Sequence, residues 1–333
     1  MALGEFDLIA RYFRPLAGSA GLGLADDAAL LRPPAGRDLV LSLDTMVAGV
    51  HFLSEDPPDT IARKLLRVNL SDLAAKGARP LGYLLALSLP RATEESWIAD
   101  FAAGLAADQA RFAIALLGGD TTATPGPLTA SITVLGDVAS GAMLRRAGAV
   151  AGDAIWVSGT LGDGALGLAV AQGQLRFTGP EAEVHAASLL ARYRLPQPRL
   201  ALAAAAEAAG GLGAIAHAGM DVSDGLIQDL GHLCVASGGL GAEVEAAALP
   251  LSAAAAAALA EEPGRLASVL AGGDDYEVLL AAPDSAAPEL ARLAADSGVA
   301  LRRIGRLSAS GRVIARDAGG RDITPARGGY RHF

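Results

Sequence analysis

Acidic residues recur in this sequence where apolar segments end. The apolar segments lead to Asp44, Asp120 and Asp221, and paired acids stand at Asp26–Asp27 and Asp274–Asp275. Such segments are typical of buried strands, and the ligand site of an open α/β sheet lies at the edge where its strands end. We therefore predict an α/β (α+β) fold in which repeated strand and helix units bring distant acids to one site.

Strand-like and helix-like patterns alternate in the first stretch, which runs to about Arg145. The helix pattern starts at an N-cap aspartate and stops before a glycine, the usual signals for a helix start and end. The predicted elements are a buried strand over Leu39–Leu43 that ends at Asp44, a helix over Asp59–Lys76, strands over Leu81–Leu89, Ile114–Leu117 and Ser131–Leu135, and a helix over Thr93–Arg111.

Glycines between Gly148 and Asp153 precede a fresh strand pattern and predict a domain join. We accordingly expect two domains, residues 1–147 and 148–333, the first holding nucleotide and metal and the second completing the site. The second is predicted to contain strands over Ala154–Ser158 and Val278–Ala281, helices near Gly164–Gln172, Glu181–Arg192, Pro198–Ala209 and Leu226–Ser237, and a turn over Asp221–Gly225.

Asp72 lies on the apolar stripe of its helix, together with Leu65 and Val68. A buried carboxylate needs a partner, so we expect Asp72 to be paired or to bind a metal. Several carboxylates suit Mg²⁺ ions that are shared with phosphates, whereas five histidines and one cysteine do not suit zinc. The two lysines, Lys64 and Lys76, follow no glycine-rich loop, which excludes a Walker A site.

Each acid also has a purely structural interpretation. Asp26–Asp27 can form a plain turn, Asp224 can belong to a helix N-cap, and Asp44 can cap the following turn. Asp72 can pair with Lys76 or Arg79. These alternatives stay open for each residue. Taken together, however, they would require several separate turns each to contain an acidic residue that has no functional role.

Net charge and cysteine content indicate which binding partners and which cellular compartment to expect. The formal net charge of −9 argues against nucleic acid and anionic membranes. Cys234 is the single cysteine, so no internal disulfide forms, which indicates a reducing compartment. No apolar run has the length of a membrane span, and the N-terminal residues do not form a signal peptide. We expect a cytoplasmic protein, with Cys234 as a small core residue.

Eleven segments, in this order, resemble the thiamine-monophosphate kinase family of the aminoimidazole-ribotide-synthetase-like superfamily. The resemblance covers nearly the whole chain, and the combination is highly specific. The segments are Gly4–Phe6, Ala25–Ala28, Ser42–Thr45, Val50–Phe52, Val68–Leu73, Gly118–Thr121, Arg146–Ala149, Val157–Asp163, Met220–Leu226, Gly272–Glu277 and Gly329–Phe333.

The resemblance implies an enzyme that transfers the γ-phosphoryl group of ATP directly to thiamine monophosphate. It implies an N-terminal α/β domain that forms a homodimer through a shared β-barrel, and a C-terminal α/β domain. A related ATP-dependent synthetase and a non-catalytic nucleotide or metal sensor are the alternatives. The Val50–Phe52 and Gly329–Phe333 segments argue against the synthetase, and the intact set of carboxylates argues against the sensor.

Site residues also follow from the resemblance. Asp44, Asp72, Asp120 and Arg146 are the implied catalytic group, and His51, Asp274 and Tyr330 are implied to bind the thiamine end. Gly119, Asp120, Arg146 and Ser223 are implied to contact ATP. The implied Mg²⁺ ligands are Asp27, Ser42, Leu43, Asp44, Asp72, Asp120, Asp221 and Asp224.

Three residues depart from the family pattern. Ala25 stands where the family usually has glycine, so the loop must avoid a glycine-only conformation. Leu43 stands in place of threonine, so any metal contact there must come from the backbone. Asp274 stands in place of glutamate and reaches one methylene less far toward the substrate.

Overall fold

The computed structural model describes residues 5–332, so Gly4 and Phe333 of the matching segments lie outside it. The chain forms two compact units. One comprises residues up to 73 together with 78–141, and the other comprises 74–77 and the residues from 142 onward. The observed division after Gly141 comes slightly before the boundary predicted at residues 147 and 148, which stays a prediction.

The first unit contains a four-stranded sheet in the order β1-β4-β2-β3. The strand β4 lies antiparallel to β1 and β2, and β2 lies parallel to β3. The elements are α1 (Glu5–Leu8), β1 (Arg37–Val47), α2 (Pro58–Ala75), β2 (Arg79–Pro90), α3 (Glu95–Phe112), β3 (Leu116–Thr124) and β4 (Thr129–Ala139), with short helical turns over Ile9–Phe13, Arg14–Leu16 and Ser19–Leu24.

Two predicted strand ends in this unit are wrong. β1 does not end at Asp44 but continues to Val47, and β3 continues through Asp120 to Thr124. β1 is also not buried on both faces, since Leu41 and Leu43 are each 59% exposed. Pairing with a neighbouring strand extends each strand past its acid, because the ladder hydrogen bonds do not depend on which side chain is present.

The helix α2 matches its prediction to within a residue at each end. It begins at Pro58, so Asp59 lies in the first turn and is not the N-cap, and Gly77 (φ +72°) follows its end. Leu65 and Leu73 are fully buried. A Cβ on Gly104 would lie 2.3 Å from the carbonyl oxygen of Asp59, so glycine allows α3 to approach α2 closely.

A buried ion pair links these two helices. The Arg67 guanidinium donates to Asp108 through Nε (2.5 Å) and a terminal nitrogen (2.9 Å), and both side chains are almost wholly buried. Arg63 donates to the same carboxylate over 3.1 Å. The Arg67 guanidinium also lies 5.5 Å from the ring centroid of Phe112. Burial makes this pair necessary, because each charge would be costly without the other.

The second unit is built on a six-stranded sheet in the order β10-β7-β9-β5-β8-β6. Adjacent strands are antiparallel, except for the parallel pair of β10 and β7. Its elements are β5 (Ala154–Ser158), α4 (Asp163–Ala171), α5 (Ala182–Arg194), α6 (Leu200–Ala206), α7 (Leu212–Ile215), β6 (Ala218–Val222), α8 (Leu226–Ala236), β7 (Gly241–Glu245), α9 (Ala253–Glu261), α10 (Leu266–Ala271), β8 (Glu277–Ala282), α11 (Ala287–Ser297), β9 (Leu301–Ser308) and β10 (Val313–Arg316).

Both sheets therefore confirm a mixed α/β architecture. Neither sheet is mainly parallel, however, although the prediction of a ligand site at the ends of the strands assumed a sheet of that kind. In the second unit the predicted strands over 154–158 and 278–281 and the helix over 226–237 are confirmed within a residue or two. No helix within residues 5–332 is long and apolar enough to cross a membrane.

Candidate functional site

Three predicted site residues meet on the helix-facing side of the first sheet. Ser42 and Asp44 are alternate residues of β1, and the Ser42 hydroxyl donates to Asp72 of α2 over 2.5 Å. The backbone N–H of Asp44 donates to the side-chain oxygen of Asn69 over 3.0 Å. Asn69 and Asp72 lie one helical turn apart, so α2 presents both toward this part of β1. Asp72 is partly buried and has the Ser42 hydroxyl as a hydrogen-bond partner, while its binding of a metal stays a prediction.

Leu43 lies between Ser42 and Asp44 and points the other way, because side chains alternate along a strand. Its side chain is 59% exposed on the opposite sheet face. That orientation agrees with the expectation that Leu43 offers only its backbone to a metal.

Asp120 is not on the same sheet face as Asp44. Asp44 pairs with Ile132, whose other partner is Leu85, and Leu85 pairs with Gly119. Paired residues share a face, so Asp120 points to the side opposite Asp44. The sequence did not contain this information, since the relative register of β1 and β3 depends on the two strands between them.

Asp120 instead lines a cavity with Asp27. The cavity has a volume of about 520 Å³ and combines these carboxylates with the Gly118–Gly119 backbone and apolar side chains that include Phe13 and Leu116. The backbone of Ala25, which precedes this loop, has φ −109° and ψ −2°, so it needs no glycine. The departure at Ala25 is therefore compatible with the loop.

His51 lies in the turn that follows β1. Its Nδ1 accepts the backbone N–H of Val47 over 3.0 Å, which assigns the ring proton to Nε2. The buried Lys64 of α2 donates to the carbonyl oxygen of His51 over 3.1 Å. Helix α2 thus fixes this turn, and the imidazole can act as a donor through Nε2.

In the second unit, the turn over Ser223–Gly225 is held by a residue that the sequence reasoning missed. Asp229, in the first turn of α8, accepts the backbone N–H groups of Ser223 (3.0 Å), Asp224 (3.0 Å) and Gly225 (3.1 Å) on one oxygen. Burial, together with the nearby Asp224 charge, raises the pKa of Asp229 to about 7, although the three donors act in the opposite direction. An acid in a first helical turn is the sequence signal that could have identified it.

Backbone contacts bring Asp274 and Tyr330 to this same turn. The N–H of Asp274 donates to the Ser223 carbonyl, and that of Tyr330 donates to the Asp224 carbonyl, each over 2.9 Å. Asp274 has φ +71°, a left-handed conformation that aspartate adopts more readily than most residues. A Cβ on Gly273 would lie 2.5 Å from the Ser223 carbonyl oxygen, so this contact requires glycine.

Asp275 belongs to the set of acids predicted at strand ends, but it points into the interior. It is 1% exposed and accepts the N–H groups of Gly162 (2.7 Å) and Gly164 (3.1 Å). Burial raises its pKa to about 8. The neighbouring Glu277 is buried as well and pairs with Arg192 over 2.9 Å. Both acids therefore fix the loop before β8 and present no free carboxylate to a ligand.

The remaining predicted residues of this unit are Asp221 and Arg146. Asp221 lies inside β6 and is 7% exposed, while Arg146 is exposed in the segment that precedes β5. The backbone carbonyl of Arg145 accepts the N–H of Gly219, which fixes this segment beside β6. Within residues 5–332, no three acidic, histidine or cysteine side chains converge closely enough to hold a metal ion by themselves.

Comparisons with known proteins cover both units. Residues 25–138 match the family model of the AIR synthase related protein N-terminal domain, and residues 150–318 match that of the C-terminal domain. The thiamine-monophosphate kinase of Caulobacter vibrioides is 45% identical over 334 residues, covering 98% of this chain and 90% of that protein.

Solved structures give the same result. The crystal structure of thiamine-monophosphate kinase from Stenotrophomonas maltophilia K279a is 44% identical, with a TM-score of 0.79 over 95% of this chain and 97% of that one. A structure described as AaThiL complexed with AMPPCP and TMP is 28% identical, with a TM-score of 0.76 over 100% of this chain and 99% of that one.

Proposed function

The chain belongs to the thiamine-monophosphate kinases of the AIR synthase related family, and we propose that it forms thiamine diphosphate by direct in-line transfer of the γ-phosphoryl group of ATP to thiamine monophosphate. The observation that carries the proposal is the identity of 45% to a kinase of this name over 98% of the chain. The acceptor phosphate is already anionic near pH 7, because its second pKa is about 6. The reaction therefore needs alignment and charge neutralisation more than a strong base.

Mg²⁺ fits the side chains of this protein. The donors on both faces of the first sheet are carboxylate and hydroxyl oxygens, which suit a hard cation. Ser42 and Asp72 are hydrogen-bonded to each other, so their oxygens lie side by side and both would be available to hold an ion. Mg²⁺ is commonly bound by one or two carboxylates, and water and phosphate oxygens complete its coordination shell. A Mg²⁺ site therefore does not require three acidic side chains from the protein. When bound, Mg²⁺ neutralises the phosphate charges. Because Asp44 and Asp120 lie on opposite faces of the sheet, we propose several Mg²⁺ ions and not one. The residues proposed to hold them are Asp27, Ser42, Asp44, Asp72, Asp120, Asp221 and Asp224, together with the backbone of Leu43.

The cavity of the first unit is suited to part of a nucleotide. Its volume of about 520 Å³ falls within the range of small-molecule sites, and its apolar walls suit a flat base. The proposed ATP contacts in this unit are Gly119 and Asp120, and those in the second unit are the exposed Arg146 and the partly buried Ser223. Arg146 provides a fixed positive charge for a phosphate group.

The thiamine end is assigned to His51, Asp274 and Tyr330. The thiazolium is a permanent cation, so a carboxylate and an aromatic face both attract it. Asp274 and Tyr330 are held on adjacent backbone positions of one turn, and Tyr330 is 45% exposed and available for contact. His51 offers a donor through Nε2. The proposal includes a cytoplasmic location, for which a single buried thiol at Cys234 is suitable.

An assay of thiamine diphosphate formation from ATP and thiamine monophosphate tests the activity, and Tyr330→Ala tests the recognition of thiamine. We expect this variant to raise KM for thiamine monophosphate about 3- to 30-fold, from a cation–π energy of about 0.5–2 kcal/mol. KM for ATP should stay within about twofold. Tyr330→Phe keeps the aromatic face and serves as the control. A shift in the ATP constant alone would contradict this assignment.

We also propose a homodimer in which sheets of two chains close a shared β-barrel. The outer face of the first sheet exposes Leu39 (39%), Leu41 (59%), Leu43 (59%) and Leu84 (40%). Several exposed leucines on one sheet face are typical of a protein interface, and closure of a barrel removes exposed sheet edges.

Leu41→Glu should weaken this dimer at least about 100-fold, because an unpaired carboxylate would be buried at the interface. Sedimentation velocity at micromolar concentration should then give a monomer, whereas the wild-type chain should give a dimer. Val235→Glu is the control, since Val235 is 75% exposed on the second unit. A wild-type monomer at this concentration would refute the proposed assembly.

A further inference from the structure

Gln228 joins two candidate site residues that the sequence places far apart. It lies on α8, just after the Ser223–Gly225 turn. Its Nε2 donates to the Asp224 carboxylate over 3.2 Å and to the backbone carbonyl of Tyr330 over 2.7 Å. One amide group therefore contacts both a candidate metal ligand and the segment that carries a candidate thiamine contact.

The C-terminal segment does not depend on this amide group for its attachment. The backbone N–H of Gln228 donates to the Gly328 carbonyl over 3.0 Å, and that of Tyr330 donates to the Asp224 carbonyl over 2.9 Å. A Cβ on Gly329 would lie 2.6 Å from the Cβ of Gln228, so glycine lets the segment lie close to the helix. The side-chain amide thus adds a constraint on Asp224 and Tyr330 to an attachment that already exists.

The amide orientation is unambiguous. Reversal would direct Oε1 at a carboxylate and a carbonyl oxygen, which are both acceptors. In the observed orientation, Oε1 is buried and has no donor among the described residues. A buried acceptor without a donor is unfavourable. The side chain therefore keeps its position through the two contacts of Nε2.

We propose that Gln228 is a positioning residue. Its amide holds the Asp224 carboxylate and the Tyr330 segment at a constant distance from each other, and so fixes the spacing between the metal end and the thiamine end of the site. The inference rests on the proposed roles of Asp224 and Tyr330. Without the amide, the Asp224 side chain and the Tyr330 backbone each lose a hydrogen bond, while the backbone attachment is retained.

The test is Gln228→Met, which keeps side-chain length and helix propensity but removes the donor. KM for thiamine monophosphate should rise about 3- to 10-fold, the effect of one or two lost hydrogen bonds, and kcat at saturating Mg²⁺ should fall less. The Mg²⁺ concentration for half-maximal activity should rise as well. Gln228→Asn, which is one methylene too short to reach both partners, should act in the same direction. His232→Ala, one turn further along α8 and exposed, is the control.

A double variant separates positioning from general destabilisation. If Gln228 acts through Tyr330, Gln228→Met with Tyr330→Ala should have the same KM for thiamine monophosphate as Tyr330→Ala alone. The positioning role would be overturned if the effects of the two single substitutions on KM multiplied in the double variant. It would also be overturned if KM in both single Gln228 variants stayed within twofold of the wild-type value. An unchanged KM in Tyr330→Ala would instead overturn the proposed thiamine contact.

Discussion

Asp72→Asn is expected to reduce turnover by about 10²- to 10³-fold, the usual loss when one pre-positioned charge-stabilising group is removed from an active site. Asparagine has the same shape and can still accept the hydrogen bond from Ser42, so the fold should be retained. The main loss is the negative charge that we propose attracts Mg²⁺. Asp44→Asn and Asp120→Asn should act in the same way.

The measurement is thiamine diphosphate formation at limiting and at saturating Mg²⁺. The matched control is Asp100→Asn, because Asp100 is exposed on α3. A loss of charge there should leave the rate unchanged. If two of the three site variants keep nearly wild-type turnover at limiting Mg²⁺, the carboxylates do not form the metal site.

Asp108→Ala is expected to lower the free energy of unfolding by about 3–5 kcal/mol, because it leaves the buried Arg67 guanidinium without its carboxylate. Asp108 is fully buried and accepts two hydrogen bonds from Arg67 and one from Arg63. Urea unfolding followed by circular dichroism measures the effect. Asp100→Ala on the same helix should change stability by less than about 0.5 kcal/mol.

A second variant distinguishes the unpaired charge from simple loss of packing. Arg67→Met combined with Asp108→Leu removes both charges, and Arg63 is 24% exposed and can turn its side chain to solvent. This double variant should recover most of the lost stability, since replacement of a whole buried pair by apolar side chains is often neutral. An Asp108→Ala protein that unfolds at the wild-type urea concentration would refute the role of the pair.

The sequence alone determined the features that depend on neighbouring residues. Helix α2 was predicted within a residue at each end, because the apolar period and the glycine at 77 are local signals. The strand over Ala154–Ser158 was predicted correctly for the same reason. The family and its activity also follow from the sequence, since the matching segments keep their order along the whole chain.

The tertiary structure decided which acids share a face and which acids have structural partners. The side chains of Asp44 and Asp120 point to opposite faces of one sheet, because the two strands between them set their relative register. Asp275 points inward because it accepts a backbone N–H group from Gly162, which is distant in the sequence. Asp229 and Gln228 hold the turn at Asp224 through hydrogen bonds that depend on the geometry of this turn. Local patterns specify helix and strand, but strand pairing and long-range hydrogen bonds fix the direction of a side chain, and these exist only in the folded chain.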